Sequence, residues 1–326
     1  MNTLQSDINN FIGGTIATKF SILIGGQITK LLAQPPVYTH DFNGDGLSDV
    51  LWRDPSGNVG LWLMNGTSIL QSYVLGSTPS NWSIVGQRDF NGDGNADVLW
   101  RDNLGNVAIW LMSGSTITSS TVLGNVASNW SIVGTGDFNG DGNADILWQD
   151  NLGNLDIWFM NGTTITQSVV VGNVSTNWVV AGADMQGDIF WRNSATGEVG
   201  MWVMNGTKIS KTADLGVAPS TWNIAAIGDF DNNGSMDLLW RDTSGNVGIW
   251  LMNGTAILST SVIGNVPLNW MLSNTGDYNG DGKSDIMWTD NAGNVGVWLM
   301  DGATVSTSSS YGNAGTAWTV QALNAN

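Results

Sequence analysis

The sequence predicts an all-β protein, a β-propeller built from four-stranded antiparallel blades. Three observations carry this prediction. An acidic tract recurs every 45 to 48 residues, the 18 tryptophans form three series with the same spacing, and short apolar tracts alternate with turn signals. A fixed period of this length is typical of propeller blades and related repeat architectures.

The acidic tract reads Asp-Phe-Asn-Gly-Asp-Gly or a close variant. It begins at Asp41, Asp89, Asp137, Asp184, Asp229 and Asp277. The first tryptophan series is Trp52, Trp100, Trp148, Trp191, Trp240 and Trp288. The second is Trp62, Trp110, Trp158, Trp202, Trp250 and Trp298, and the third is Trp82, Trp130, Trp178, Trp222, Trp270 and Trp318. Six members in each series predict six equivalent units.

One unit contains four tracts of strand length that are rich in Val, Ile, Thr and Trp. In the second repeat they are residues 82–86, 97–101, 107–112 and 117–123. The last two are joined by a tight turn that elsewhere reads Asn-Gly, as at Asn65-Gly66, a strong hairpin signal because both residues accept positive φ. The unit is therefore predicted to be a four-stranded antiparallel meander.

The middle strands are apolar on both faces, as in the run from Val59 to Met64. Such a sheet must be covered on both sides, and stacking blades around an axis provides that cover. A solenoid would also stack them, but it needs polar caps at its ends, and none is evident. The propeller is therefore favoured.

The last tryptophan-initiated strand, residues 318–323, has no acidic loop after it. We therefore expect this C-terminal strand to complete the first blade and close the ring. Residues 14–25 loosely resemble an outer strand, so six blades are predicted, with seven as the alternative. The predicted division is an N-terminal segment of uncertain structure, residues 1–36, and a single propeller, residues 37–326.

The charge balance is strongly acidic, with 27 acidic residues against 10 basic ones and a net charge of −17. Nucleic acids and anionic membranes require a basic surface, so both are excluded as expected partners and cations are favoured. No apolar run reaches the roughly 18 residues of a membrane span. A conventional signal peptide is not evident either, because the apolar segment 11–33 contains lysines and follows no basic region.

The acidic loops have the ligand pattern of a calcium site. Hard oxygen donors recur at positions 1, 3, 5 and 9, position 7 can offer its backbone carbonyl, and Gly at position 6 permits the bend. The predicted metal ligands are Asp41, Asn43, Asp45, Leu47, Asp49; Asp89, Asn91, Asp93, Asn95, Asp97; Asp137, Asn139, Asp141, Asn143, Asp145; Asp229, Asp231, Asn233, Ser235, Asp237; and Asp277, Asn279, Asp281, Lys283, Asp285.

The fourth loop, Asp184 to Asp188, is four residues shorter and is predicted not to bind an ion, which leaves five Ca²⁺ sites. Three carboxylates in one turn repel each other without a cation. Extracellular calcium modules have affinities on the order of 10⁻⁴ to 10⁻³ M. We therefore expect an extracellular or cell-surface protein in which calcium fixes the turn between the two inner strands.

The repeat resembles the FG-GAP/VCBS family, whose blades occur in integrin α-subunits, bacterial surface proteins and some fungal lectins. The matching segments are residues 136–148, Gly-Asp-Phe-Asn-Gly-Asp-Gly-Asn-Ala-Asp-Ile-Leu-Trp, and the hairpin at residues 245–254. The resemblance implies a calcium-binding propeller that is exported and used for adhesion or ligand recognition. The degenerate fourth loop and residues 1–36 depart from it.

Catalysis is not expected. The chain has one histidine, His40, and no cysteine, and its single glutamate, Glu198, lies on a turn. His40 is interpreted as a satisfied surface residue, because a nucleophile with a base, or a paired acid and base, is not evident. A propeller enzyme remains the least favoured alternative.

Two sets of residues could bind a ligand, which we expect to be carbohydrate or a cell-surface protein. The tryptophans could stack on sugar rings, although a packing layer between blades is the favoured interpretation. The second set follows the second strand of each blade, where a salt bridge or turn cap is the alternative role. It comprises Arg53, Asp54, Arg101, Asp102, Arg192, Arg241 and Asp242, with Gln149-Asp150, Asn193 and Thr289-Asp290 at the same repeat positions.

Overall fold

A computed structural model describes residues 40–184 and 186–321. The segment 1–36, its boundary with the propeller, and the strand suggested at residues 14–25 lie outside the described residues. The described part consists of six four-stranded antiparallel sheets, as expected for a six-bladed β-propeller. In that part no helix has the length and hydrophobicity needed to span a membrane.

Each sheet is one blade, and consecutive strands are neighbours in it. Blades 1 to 3 contain β1 (Val50–Arg53), β2 (Asn58–Asn65), β3 (Ser68–Ser77); β4 (Trp82–Arg88), β5 (Asp97–Asp102), β6 (Asn106–Ser113), β7 (Thr116–Asn125); and β8 (Trp130–Gly136), β9 (Asp145–Asp150), β10 (Asn154–Asn161), β11 (Thr164–Asn173). Blades 4 to 6 contain β12 (Trp178–Ala183), β13 (Ile189–Asn193), β14 (Glu198–Asn205), β15 (Lys208–Val217); β16 (Trp222–Gly228), β17 (Asp237–Asp242), β18 (Asn246–Asn253), β19 (Ala256–Asn265); and β20 (Trp270–Gly276), β21 (Asp285–Asp290), β22 (Asn294–Asp301), β23 (Thr304–Asn313).

The C-terminal strand β24 (Thr319–Val320) completes the first blade. It pairs with β1 in the order β24-β1-β2-β3, with Trp52 opposite Val320. The predicted ring closure is therefore confirmed, and so is the blade number of six for the described residues. The hairpin between β2 and β3 is confirmed, but its turn residues differ from the prediction. Asn65 pairs with Ser68 at the end of the strands, so the turn consists of Gly66 and Thr67, and of the predicted Asn-Gly pair only Gly66 has a positive φ, of 62°.

Six hydrophobic clusters fill the six interfaces between blades. At the interface of the third and fourth blades, Ile157 and Phe159 of β10 pack against Trp191 of β13. The cluster between the sixth and first blades joins Val297 of β22 to Trp52 of β1. Every blade thus presents an aliphatic face to the next blade and a tryptophan face to the preceding one.

The tryptophan face has the same three-part construction in each blade. First-series rings are only 1–3% exposed, and each lies 4.5 to 5.2 Å from the second-series ring of its blade. Third-series rings lie over the centre of the sheet, where Cζ3 of Trp222 would be 3.1 Å from a Cβ added to Gly248. The packing interpretation of the tryptophans is confirmed for the first series, whereas the rings of the second and third series are largely half-buried.

His40 departs from expectation, because it is fully buried and does not lie at the surface. Its backbone carbonyl accepts a hydrogen bond from the amide of Asp49, at 2.8 Å. That bond closes the first acidic loop onto the residue that precedes it and so places His40 beneath the loop.

Candidate functional site

The acidic loops lie where the sequence places them, between the first and second strands of the blades. In the second blade the loop runs from Asp89 to Asp97 and joins β4 to β5. Asp89 folds the loop around its own carboxylate: Oδ1 accepts the amide of Gly92 at 2.7 Å, and Oδ2 accepts that of Gly94 at 2.8 Å. Gly94 has a φ of 87°, a conformation that favours glycine at the sixth position.

The aspartate at position 9 connects the loop to the hairpin beyond it. Asp97 is completely buried, and its two carboxylate oxygens accept the amides of Phe90 at 2.9 Å and of Met112 at 2.8 Å. The same pair of bonds recurs at Asp49, Asp145, Asp237 and Asp285. Position 9 thus joins the acidic loop to the end of the third strand in its blade.

Positions 3 and 5 form the outer, exposed part of the loop. The side-chain amide of Asn91 donates to the carboxylate of Asp93 at 3.0 Å. The same carboxylate accepts the backbone amide of Asn95 at 2.8 Å. In the fifth repeat, where position 3 is an aspartate, carboxylate oxygens of Asp229, Asp231 and Asp237 all lie within 4.8 Å of one another. The loop thus brings oxygen donors from positions 1, 3 and 9 close together in one turn.

Burial disfavours the charged form of these carboxylates. Desolvation raises the pKa of Asp49, Asp97 and Asp145 to about 8, against the lowering effect of their backbone hydrogen bonds. Repulsion from the carboxylates at positions 1 and 5 of each loop is a smaller cause of the same rise in pKa. A nearby cation would favour the ionised form.

The donor set fits calcium in particular. It consists of carboxylate, amide and carbonyl oxygens, with no imidazole or thiolate, which is the ligand chemistry of hard divalent cations. Side chains at positions 1, 3, 5 and 9, with the carbonyl at position 7, would hold the ion. The ion would supply positive charge and a crosslink within the turn.

The fourth loop lies near a positively charged side chain, that of Arg88 in the second blade. Asp184 accepts the amide of Asp188 at 2.7 Å, and Asp188 retains the bond from Met204, also at 2.7 Å. Arg88 of the second blade is 3% exposed and interacts electrostatically with Asp184. Burial lowers the pKa of Arg88 to about 10, against the attraction of Asp184. A guanidinium therefore accompanies the one loop that is too short for the calcium pattern.

The arginines proposed from the sequence as ligand-binding residues lie between blades. The guanidinium of Arg101 is 5.1 Å from the ring centroid of Trp148 in the next blade. It also donates to the carbonyls of Trp130 at 2.5 Å and Ala127 at 3.2 Å. Arg53, Arg192 and Arg241 are placed in the same way. These contacts stabilise blade interfaces, and a ligand-binding role for the arginines stays a prediction.

The aspartates that follow these arginines cap the next turn. Asp54 accepts both the backbone amide of Asn58, at 2.9 Å, and its side-chain amide, at 2.7 Å. The side-chain bond is the largest cause that lowers the pKa of Asp54. Asp102 and Asp242 have the same partners in their own blades.

Two clefts open at the interfaces where the arginine is replaced. One, of about 450 Å³, lies on the tryptophan face of the fourth blade, at its interface with the third blade, where the arginine position is Gln149. Its lining residues belong to the fourth blade and to the segment that enters it. The other, of about 470 Å³, lies between the sixth and first blades, where the position is Thr289. Sequence reasoning noted both replacements but did not connect them with cavities, because the arginine fills space in a neighbouring blade.

The comparisons with known proteins agree with this architecture. A family model described as FG-GAP-like repeat matches residues 89–148 and 229–288. Each matched stretch contains two acidic loops, with the last three strands of one blade and the first strand of the next blade between them. A comparison with curated proteins found no match.

Solved structures resemble this chain at the level of the fold. Oligogalacturonate lyase from Vibrio parahaemolyticus matches at 13% identity with a TM-score of 0.50, covering 85% of this chain and 78% of the other. Chaetomium thermophilum Raptor matches at 13% identity and a TM-score of 0.44, covering 78% of this chain. The Photorhabdus luminescens Tc holotoxin pore matches at 16% identity and a TM-score of 0.49, covering 79% of this chain.

This chain spans only 25% of the Raptor chain and 14% of the Tc holotoxin chain. At such identities the likeness concerns the fold alone. The described residues form a six-bladed β-propeller, and two stretches of it match the FG-GAP-like repeat.

Proposed function

We propose that this chain is a non-catalytic, calcium-stabilised recognition propeller that works outside the cell and binds carbohydrate. The observation that carries the ligand class is the cleft between the sixth and first blades. Half-buried Trp318 lines it together with the polar side chains of Thr289, Asn291 and Thr319. A pyranose offers apolar C–H faces and a rim of hydroxyls, so a ring face beside small polar groups suits it.

The calcium part of the proposal rests on the loops. Five loops repeat one set of oxygen donors, and in the fifth the three carboxylates converge within 4.8 Å. They contain 15 of the 27 acidic residues of the chain. Binding of divalent cations would therefore remove much of the self-repulsion of a molecule with a net charge of −17.

The extracellular part follows from the affinity expected of such loops. Exposed calcium modules bind on the order of 10⁻⁴ to 10⁻³ M. Sites of that strength fill at extracellular calcium concentrations and remain largely empty in cytosol. Recognition without catalysis is the accompanying proposal, since the one histidine is buried beneath the first loop.

Metal analysis and thermal unfolding test the calcium proposal together. We expect about five bound Ca²⁺ per chain at millimolar calcium, and a lower melting temperature after chelation, because ligands that bind only the folded state stabilise it. The absence of bound calcium at millimolar supply, or a melting temperature that chelator leaves unchanged, would contradict the proposal.

A glycan array with matched variants tests the ligand class. Thr289→Arg should fill the cleft between the sixth and first blades, as arginine does at four other interfaces, and abolish glycan binding. Gln149→Arg places the same side chain at the other cleft and should leave glycan binding unchanged. An array without any bound glycan would contradict the carbohydrate proposal and favour a protein partner, as in adhesion.

A further inference from the structure

Four of the six blade interfaces are filled by a guanidinium group from the chain itself. Arg53, Arg101, Arg192 and Arg241 each lie 5.1 to 5.4 Å from the first-series tryptophan ring of the following blade. Each also donates to carbonyls in the segment that enters that blade. For Arg101 these carbonyls belong to Val126, Ala127 and Trp130.

The interface between the third and fourth blades keeps this receptor but lacks the arginine, because Gln149 occupies its position. The residues equivalent to the four partners of Arg101 are Val174, Ser175, Trp178 and Trp191. All four line the cleft of about 450 Å³. The groups that receive a guanidinium elsewhere in the ring therefore surround an open cavity here.

Two carboxylates are added to the tryptophan face at this interface. Glu198 lines the cleft at a position that is asparagine in the other five blades, namely Asn58, Asn106, Asn154, Asn246 and Asn294. Asp214 lines it opposite Gly200, where four other blades have an exposed valine, namely Val74, Val122, Val170 and Val262. Both replacements add negative charge to a cavity already lined by three tryptophans.

Glu198 retains capacity to accept further hydrogen bonds. Its Oε2 accepts the hydroxyl of Thr196 at 2.8 Å and a long contact of 3.5 Å from the side chain of Asn193. Each carboxylate oxygen can accept two bonds, so a donor in the cleft can still be received. Asp214 is exposed, with one oxygen bonded to the amide of Gly216 at 2.8 Å.

We propose that this cleft binds the guanidinium group of an arginine side chain supplied by a partner peptide. The ligand would take the place that the chain's own arginines take at four interfaces, with its planar cation over Trp191 and its N–H groups on the carbonyls of Val174 and Ser175. Glu198 and Asp214 would add charge-assisted hydrogen bonds to the guanidinium. The site is separate from the calcium loops and from the cleft proposed for carbohydrate.

Guanidinium is favoured over ammonium by the geometry of the receptor. Its planar fork stacks on aromatic rings and donates to several acceptors at once, whereas an ammonium is a compact, strongly hydrated charge. The other open interface lacks these two carboxylates, because the equivalent positions in the first blade are Asn58 and Val74. Among the described blades, only the cleft between the third and fourth blades therefore combines an arginine receptor that no internal arginine fills with carboxylates at both of these positions.

Titration calorimetry of the full chain with capped tripeptides tests the proposal. The probes are acetyl-Gly-Arg-Gly-amide, its citrulline counterpart, which is nearly isosteric and neutral, and its lysine counterpart. We expect the arginine peptide to bind at least about tenfold more tightly than the other two, a difference of roughly 1.4 kcal/mol. Comparable binding of the citrulline or lysine peptide, or no heat from the arginine peptide at about 20 mM, would overturn the proposal.

Variants that copy residues of the other blades locate the binding. Gln149→Arg should supply the internal guanidinium and weaken binding of the arginine peptide by at least about tenfold, and Glu198→Asn with Asp214→Val should do the same. Thr289→Arg, the same substitution at the other open interface, should leave the affinity unchanged. If the arginine peptide binds the Gln149→Arg chain and the double variant as tightly as it binds the original chain, the assignment to this cleft is contradicted.

Two further measurements distinguish lost binding from unfolding and a peptide ligand from a small guanidinium compound. Melting temperatures of the variants establish that lost binding does not reflect unfolding, and Glu198→Asn alone replaces any variant that fails to fold. Free arginine serves as a second ligand. Tighter binding of free arginine than of the capped peptide would show that the cleft takes a small guanidinium compound, and it would overturn the assignment to a peptide side chain.

Discussion

At the scale of single residues, the aspartate at position 9 of the acidic loop has a role that does not depend on metal. Asp145 is completely buried and accepts the amides of Phe138 at 3.0 Å and Met160 at 2.9 Å. When a buried acceptor is removed, its donors stay buried without a hydrogen-bond partner, and each then costs its full desolvation penalty. This residue type is therefore required for the blade hairpin as well as for the predicted ion.

We predict that Asp145→Ala lowers the free energy of unfolding by about 3 kcal/mol even in the presence of chelator, because two buried amides lose their acceptor. Urea unfolding in chelator measures this effect. Asp141→Ala removes an exposed carboxylate of the same loop and should change stability by less than about 0.5 kcal/mol under those conditions. Equal effects of the two variants in chelator would contradict the assigned role of position 9.

At the scale of elements, the blade interface is stabilised by both apolar packing and the arginine. The aliphatic face of one blade meets the tryptophan face of the next, and the arginine joins the outer part of that contact. The interface is thus a repeated unit whose composition can change from blade to blade, as it does at Gln149 and Thr289.

Arg101→Met is predicted to destabilise the chain by about 2 kcal/mol, because the stacking on Trp148 and the bonds to the carbonyls of Trp130 and Ala127 are lost while the apolar stem is kept. Chemical unfolding measures the change. Arg101→Lys should recover little of it, because an ammonium cannot stack and bond to several carbonyls as the planar fork does. A lysine variant as stable as the original chain would contradict this account.

The turn after the second strand of each blade also has a close contact that demands glycine. Gly153 has a φ of 85°, and a Cβ added there would lie 1.9 Å from the carbonyl oxygen of Val174. Gly66 has a comparable φ of 62° but no atom within 4 Å of the added Cβ. A comparison of the two positions therefore distinguishes the cost of a positive φ alone from the added cost of a steric clash.

Gly66→Ala should cost about 1 kcal/mol, the usual penalty of positive φ. Gly153→Ala should cost at least about 3 kcal/mol, because the backbone of the segment that enters the next blade must also move. Thermal and urea unfolding of both variants give the comparison. Similar losses at the two positions would indicate that the close approach at Val174 is easily relieved.

At the scale of the whole molecule, stability depends on closing the ring. The strand β24 supplies the fourth strand of the first blade, and Cζ3 of Trp318 would lie 3.2 Å from a Cβ added to Gly60. Without this segment β1 would become an edge strand, and unpaired edges favour association with other chains.

A chain that ends at Ala317 should lose at least about 4 kcal/mol of stability, because Trp318 and the pairing of β24 are removed together. It should also associate in size-exclusion chromatography. A chain that ends at Ala322 retains β24 and is the matched control. If both shortened chains melt alike and remain equally monodisperse, ring closure by the C-terminal strand does not stabilise the propeller.

The sequence by itself determined the parts of this protein that depend on short-range patterns. Alternating turns and apolar tracts predicted the four strands of each blade, the recurring acidic tract predicted the loops, and six copies predicted six blades, with seven as the alternative. Strand bounds in the second blade differ by no more than two residues from those predicted. These features follow locally because a glycine turn or a strand needs only its own neighbours.

The tertiary structure alone decided which residues meet across blades. Arg101 stacks on Trp148, and Arg88 reaches Asp184 two blades away, although nothing in either local pattern indicates such a partner. Gln149 and Glu198 were readable as deviations from the repeat, yet their combination in one cleft depends on how neighbouring sheets stack. Contacts between blades are set by the twist and closure of the ring, a property of all six blades together, and the repeat pattern of one blade does not contain it.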